Sequence, residues 1–152
     1  MAMQMARAHL RRLGREEDVE VESRGLTDRY SPWGSPADPR AARALEKGAG
    51  LNSDGHASRA LTEDELEACA ACFYVTDDHV DWIASTVGRV AVDAALNRGT
   101  LRKICAPDED VPDPFFAEDD EYYLEIVHKL EGCVDSSLDA FLAEQYDDAP
   151  QF

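Results

Sequence analysis

Apolar positions along this chain fall into helical stripes broken by short alternating or compact apolar stretches. Met3 to Leu13 repeats at helical spacing and meets Gly14, a residue suited to the position just past a helix end. From Asp18 to Ser23 polar and apolar residues alternate, with Val19 and Val21 on one face, which predicts a half-buried strand. Gly25, Pro32, Gly34, Pro36 and Pro39 break any regular structure from Arg24 to Pro39. A helix is expected from Asp38 to about Lys47, with Pro39 in the first turn, where a missing N–H costs nothing. Thr62-x-x-Glu65 is a capping box that opens a short helix reaching about Cys69. Ala71 to Val75 reads as a compact strand, and Asp77 and Asp78 open a helix carrying Val80, Ile83 and Val87 that Gly88 ends. Thr100 to Cys105 is a candidate last strand, weakened by Arg102 and Lys103. Glu121 to Gln145 is the longest helix, with Tyr123, Val127, Leu130, Val134, Leu138 and Phe141 or Leu142 as its buried stripe.

Strands alternating with helices predict an α/β fold, an open parallel sheet with helices on both faces in three layers. Only three strands are legible, fewer than such a sheet normally holds. The chain also starts on a helix, although ligand sites in these folds lie where strands end and helices begin. The pattern therefore predicts a first, central strand ahead of Met1 that is missing here. One domain is expected over residues 1–152, with 1–15 as the opening helix and 146–152 as an acidic tail.

Composition narrows the chemistry. Asp and Glu number 32 against 15 Lys and Arg, a formal charge of −17. That field repels polyphosphates, so nucleic acid is not an expected partner. A phosphorylated ligand would need local donors strong enough to outweigh it. No apolar run approaches the ~20 residues of a membrane span and no secretory segment is visible, so no membrane partner and a cytoplasmic location are expected. Four cysteines (Cys69, Cys72, Cys105, Cys133) do not make a disulfide scaffold at this length and read as reduced thiols. Cys69-Ala-Ala-Cys72 has no second pair, and the four histidines show no ligand spacing, so no metal and no cofactor are expected.

The segment with the most chemistry is Val111-Pro112-Asp113-Pro114-Phe115-Phe116. By itself, Asp113 before proline reads as a turn residue whose carboxylate caps a neighbouring N–H. Asp77, at a strand end and a helix start, reads most simply as an N-cap. Other segments change the weight of Asp113. Met5-Ala6-x-Ala8 with Leu10 and Leu13, Val21-x-Ser23, Gly34-Ser35-Pro36-Ala37-Asp38-Pro39-Arg40-Ala41, His56-Ala57-Ser58-Arg59 and Phe73-Tyr74-Val75-Thr76-Asp77 precede it in order. Together these resemble the low-molecular-weight protein tyrosine phosphatases across nearly the whole chain.

The resemblance implies that Asp113 is the general acid and base, that Tyr30 and Trp33 wall the substrate pocket, and that Ser23 and Asp77 support the site. It implies phosphotyrosine proteins or small aryl phosphates as substrates, with a homodimer as a further possible assembly. In the family a loop thiolate attacks phosphorus, an arginine of the same loop grips the phosphoryl oxygens, and an aspartic acid protonates the leaving phenolate. None of the four cysteines here has an arginine six residues on, so the 152 residues contain no Cys-x5-Arg. Residues 1–152 are therefore expected to be inactive. The nucleophile would precede Met1 in a complete form, or the chain would be a pseudophosphatase interaction module. A relative of the arsenate reductases, with Cys69 or Cys72 as a working thiol, is the third account.

Overall fold

The computed structural model describes residues 1–147. The helices are α1 (Ala2–Arg12), α2 (Pro39–Ala49), α3 (Glu63–Ala68), α4 (Asp78–Val87), α5 (Arg89–Arg98) and α6 (Asp120–Asp147). The strands are β1 (Cys72–Tyr74) and β2 (Leu101–Lys103), and a single 3-10 turn spans Pro114–Phe116. The strands run parallel, with Cys72 opposite Leu101 and Tyr74 opposite Lys103. The acidic tail expected over 146–152 lies partly on α6, and residues 148–152 fall outside the described residues.

Helix ends form where local chemistry dictates. The Asp38 carboxylate accepts from Arg40 N–H at 2.8 Å, Pro39 takes the first helical position, and Gly50 closes α2 in the left-handed conformation. Both halves of the Thr62–Glu65 capping box are made, at 3.1 and 3.2 Å. The stripe expected on α6 is buried throughout, and Ile126 joins it.

Two apolar clusters sandwich the sheet. Residues of α1, α2 and α6 with Ile104, Cys105 and Val111 form the larger; Leu61, Leu101 and residues of α3, α4 and α5 form the smaller. β1 lies between them, with Ala71, Phe73 and Val75 packed on the first and Cys72 and Tyr74 on the second, as a pleated strand requires. This is the three-layer α/β arrangement the sequence predicts, around a parallel sheet of two strands among the described residues.

Three expectations need correction. Residues 18–23 are not a strand. Val19 and Val21 are half-buried and Glu20 and Glu22 exposed, as alternation predicts, but no neighbouring strand pairs with them. The nearest ladder contact is an isolated parallel bridge between Gly25 and Ala60. Second, Gly88 does not end the helical region: at φ +99° it turns the chain directly into α5, which buries Ala91, Val92 and Ala95. Third, Cys105 and Cys133 are not separate thiols. They form a disulfide with Cα atoms 4.9 Å apart, joining the segment after β2 to α6.

Close approach of α2 and α6 depends on Gly48. A Cβ there would lie 2.9 Å from Val127 Cγ1 and 3.3 Å from Leu124 Cδ2. Gly48→Val is expected to force the helices apart and to cost about 1–3 kcal/mol, read from urea unfolding midpoints. An unchanged midpoint would mean that the crossing is loosely packed.

Candidate active site

The loop carrying Asp113 follows β2 and is fastened at both ends. At its start, the ammonium of Lys103 lies 2.6 Å from Asp110 and 3.1 Å from Asp77, and donates to Pro107 C=O at 3.1 Å. Its hydrogen bond to Asp110 raises the Lys103 pKa and lowers that of Asp110. Asp77 therefore caps no N–H of α4; its carboxylate is spent on Lys103, a correction to the N-cap expectation. At the far end, Arg40 reaches from α2 to the carbonyls of Phe115 (3.0 Å) and Ala117 (2.9 Å) while chelating Asp38. Hydrogen bonding from Arg40 holds the Asp38 carboxyl below the usual range.

Between these fastenings Asp113 is exposed. Its Oδ1 accepts Phe115 N–H at 2.9 Å and so starts the 3-10 turn, as the simple reading of Asp-Pro expects. No cation among the described residues lies within ion-pair distance, and Oδ2 has no hydrogen-bond partner among them. The carboxyl is fixed through one oxygen and open at the other. When protonated, such a group is a donor; when ionised, it accepts.

An aromatic patch adjoins it. Tyr30 lies 5.3 Å from Phe115 and 5.9 Å from Phe116, ring centre to ring centre, and the two phenylalanines meet edge to face at 5.1 Å. The Arg29 guanidinium sits 5.8 Å over the Tyr30 ring and brings a positive charge to an otherwise acidic neighbourhood. Trp33 is placed elsewhere, its ring so close over Gly25 that a Cβ there would be 2.7 Å from it. Ser23 is half-buried on the unpaired segment, its carbonyl taken by Arg24 at 2.7 Å. Thus Asp113 and Tyr30 come together directly, Asp77 joins through Lys103 and Asp110, and Trp33 and Ser23 make no contact with the Asp113 loop.

The family model for low molecular weight phosphotyrosine protein phosphatase matches residues 1–146. The chain belongs to that family. Solved structures agree in fold: a protein tyrosine phosphatase from Entamoeba histolytica is 17% identical with a TM-score of 0.75, over 95% of this chain and 88% of that one. A low molecular weight protein tyrosine phosphatase from T. tengcongensis is 24% identical with a TM-score of 0.71, over 95% and 88%. The YwlE arginine phosphatase is also 24% identical with a TM-score of 0.71, over 97% and 86%. No curated protein matches the sequence closely enough to stand as a relative.

Two residues of this phosphatase-family site escape a reading of the sequence. Lys103 looks only like a poor strand residue, because its two carboxylate partners come from other elements. His79 shows no motif, yet its Nδ1 accepts from the N–H groups of Val75 and Thr76, both at 3.3 Å, at the carboxyl end of β1. That geometry requires a neutral ring with the proton on Nε2. Burial lowers its pKa, opposed by the carboxylates of Asp113, Asp78 and Asp110.

A pH dependence follows. With the folded pKa below the ~6.5 of an unfolded histidine, the folded state binds fewer protons, so stability is complete above that value and is lost as pH falls through the folded pKa. Melting temperatures measured from pH 7.5 to 5 should fall more steeply for the wild type than for His79→Gln. Parallel curves would remove His79 from this role. The lowered carboxylates Asp38 and Asp110 act only below the ordinary carboxylate range, outside this window.

Proposed function

We propose that this chain supplies the proton donor and the scaffold of a phosphomonoester-hydrolysing site, without supplying its nucleophile. The observation that carries this reading is Asp113: a loop carboxyl held through one oxygen, open at the other, and flanked by Tyr30, Phe115 and Phe116. Such a group can protonate a leaving phenolate and later take a proton from the attacking water. The aromatic patch suits the ring of an aryl phosphate or phosphotyrosine side chain, and Arg29 offers local charge against the −17 field. Ser23 and Trp33 would line the other side of such a pocket, as the family pattern implies. Phosphate-monoester hydrolysis has a very high uncatalysed barrier, and an acid alone contributes only about 10²–10⁴-fold. Residues 1–152 therefore have no turnover of their own.

The test has two arms. Purified residues 1–152 should leave p-nitrophenyl phosphate and phenyl phosphate untouched. Joined at Met1 to an apolar strand and a Cys-x5-Arg loop, the same chain should hydrolyse both. Asp113→Ala should then lower kcat about 10²–10⁴-fold for phenyl phosphate and far less for p-nitrophenyl phosphate, whose leaving group needs little protonation. Equal losses on the two substrates would remove Asp113 as the acid. Absence of hydrolysis in the joined form would favour the pseudophosphatase reading, which the lack of Cys-x5-Arg in these residues also supports. The arsenate reductase reading is disfavoured, because burial and then Cys69 push Cys72 up to about 11, leaving little thiolate at neutral pH.

No helix among the described residues is long and apolar enough to cross a membrane. A cytoplasmic setting goes with the proposed role, and there Cys105 and Cys133 are expected as a reduced pair.

A further inference from the structure

β1 is hydrogen-bonded along one edge only. Cys72 N–H donates to Thr100 C=O at 2.7 Å and Ile104 N–H donates to Tyr74 C=O at 2.8 Å, so Cys72 and Tyr74 face β2. The alternation of a parallel ladder turns the N–H and C=O of Phe73 to the other edge, where no strand lies among the described residues. A second unpaired backbone faces the same interior. The N–H groups of residues 19–24 have no acceptor among the described residues, although Val19 and Val21 pack on the apolar cluster that also holds Ala71, Phe73 and Val75. Arg7 fixes this segment by donating to Val21 C=O at 2.6 and 3.1 Å. Val19 and Glu20, together with Ala70 just ahead of β1 and Phe141 and Leu142 of α6, line one open cavity of about 420 Å³.

Two unpaired backbones over a shared apolar floor, with a cavity at one end, make a template for an inserted strand. Its faces would meet different clusters. One would lie over α1, α2 and α6 with Val21 and Phe73; the other would look toward α3 to α5 with Cys72 and Tyr74. A strand covered on both faces is apolar along its whole length, not alternating. The approach is acidic: Glu16, Glu17, Asp18 and Glu20 are exposed beside the cavity. Charge complementarity thus selects basic residues on either side of the apolar run.

We propose that this slot binds an extended apolar peptide of about five residues with basic flanks as an added strand, paired to residues 19–24 on one side and to Phe73 on the other. The probe is a peptide of five alternating valines and isoleucines with two lysines at each end, added to the full chain. Amide hydrogen exchange is expected to slow at least tenfold at residues 19–24 and at Phe73. Binding should be at least tenfold tighter than for the same peptide flanked by glutamates. A version N-methylated at alternate amides keeps the apolar surface but cannot pair, and should lose at least tenfold. Val21→Pro, checked for folding by circular dichroism, should weaken binding similarly. Equal binding of the N-methylated peptide, or protection confined to other residues, would overturn the proposal. So would a peptide-free dimer already protected at residues 19–24, which would assign the slot to a second copy.

Discussion

Reducing the Cys105–Cys133 bond should lower unfolding stability by about 3–4 kcal/mol, the chain-entropy value for a loop of this size. The two residues are 28 apart in sequence, and the bond joins the segment after β2 to the middle of α6. For a chain of this length the loss corresponds to a drop in melting temperature of roughly 10 °C. Comparing oxidised and dithiothreitol-treated wild type isolates the bond, since no atom of the packing changes. The denaturant slope should be steeper for the reduced form, whose unfolded state is less constrained. Cys133→Ala should abolish the response to dithiothreitol, while Cys69→Ala, at a free cysteine, should leave it intact. Beside the bond, Ser137 Oγ donates to Ile104 C=O at 2.5 Å, so reduction leaves one tether on the segment leading to Asp113. Identical melting in both states would show that the bond constrains nothing in solution.

What could be read from the residues was what the chain settles locally. The stripe of α6, the Asp38 and Pro39 start of α2 and the Thr62–Glu65 box depend on neighbours within a turn or two, and all are found where expected. α5 was hidden because Gly88 looks like a stop and because the helix buries two alanines and a single valine, a weak stripe. Residues 18–23 show why an alternating pattern is not yet a strand: the side chains alternate, but pairing needs a partner supplied from elsewhere in the chain. The disulfide is equally non-local, since no spacing among four cysteines singles out residues 28 apart. At the site, Asp113 stood out through the resemblance of its surroundings to a known family. Lys103 and His79 did not, because their roles arise only when β1, β2 and the loop converge. These are long-range electrostatic and hydrogen-bond relations with no signature at fixed sequence spacing.

Tyr123→Ala should cost about 3–5 kcal/mol, the range for removing a large buried ring. Tyr123 is 2% exposed, and its ring lies 5.1 Å from the guanidinium carbon of Arg40. That arginine also holds the carbonyls of Phe115 and Ala117, so the cavity would sit beneath the anchor of the Asp113 loop. Tyr123→Phe should behave in the opposite way. The hydroxyl is buried with no hydrogen-bond partner among the described residues, and burial, then Asp38, raises its pKa. Leaving a buried polar group unpaired costs about 1–3 kcal/mol, so its removal with the ring retained should be neutral or stabilising by about 1 kcal/mol. Urea unfolding of the two variants separates ring from hydroxyl. A Tyr123→Phe loss above about 1 kcal/mol would mean that the hydroxyl makes a net favourable hydrogen bond to a bound water. The two contributions differ in reach. The ring supports Arg40 and through it the loop, so Tyr123→Ala should speed amide exchange at Phe115 and Phe116, whereas Tyr123→Phe should leave exchange there unchanged.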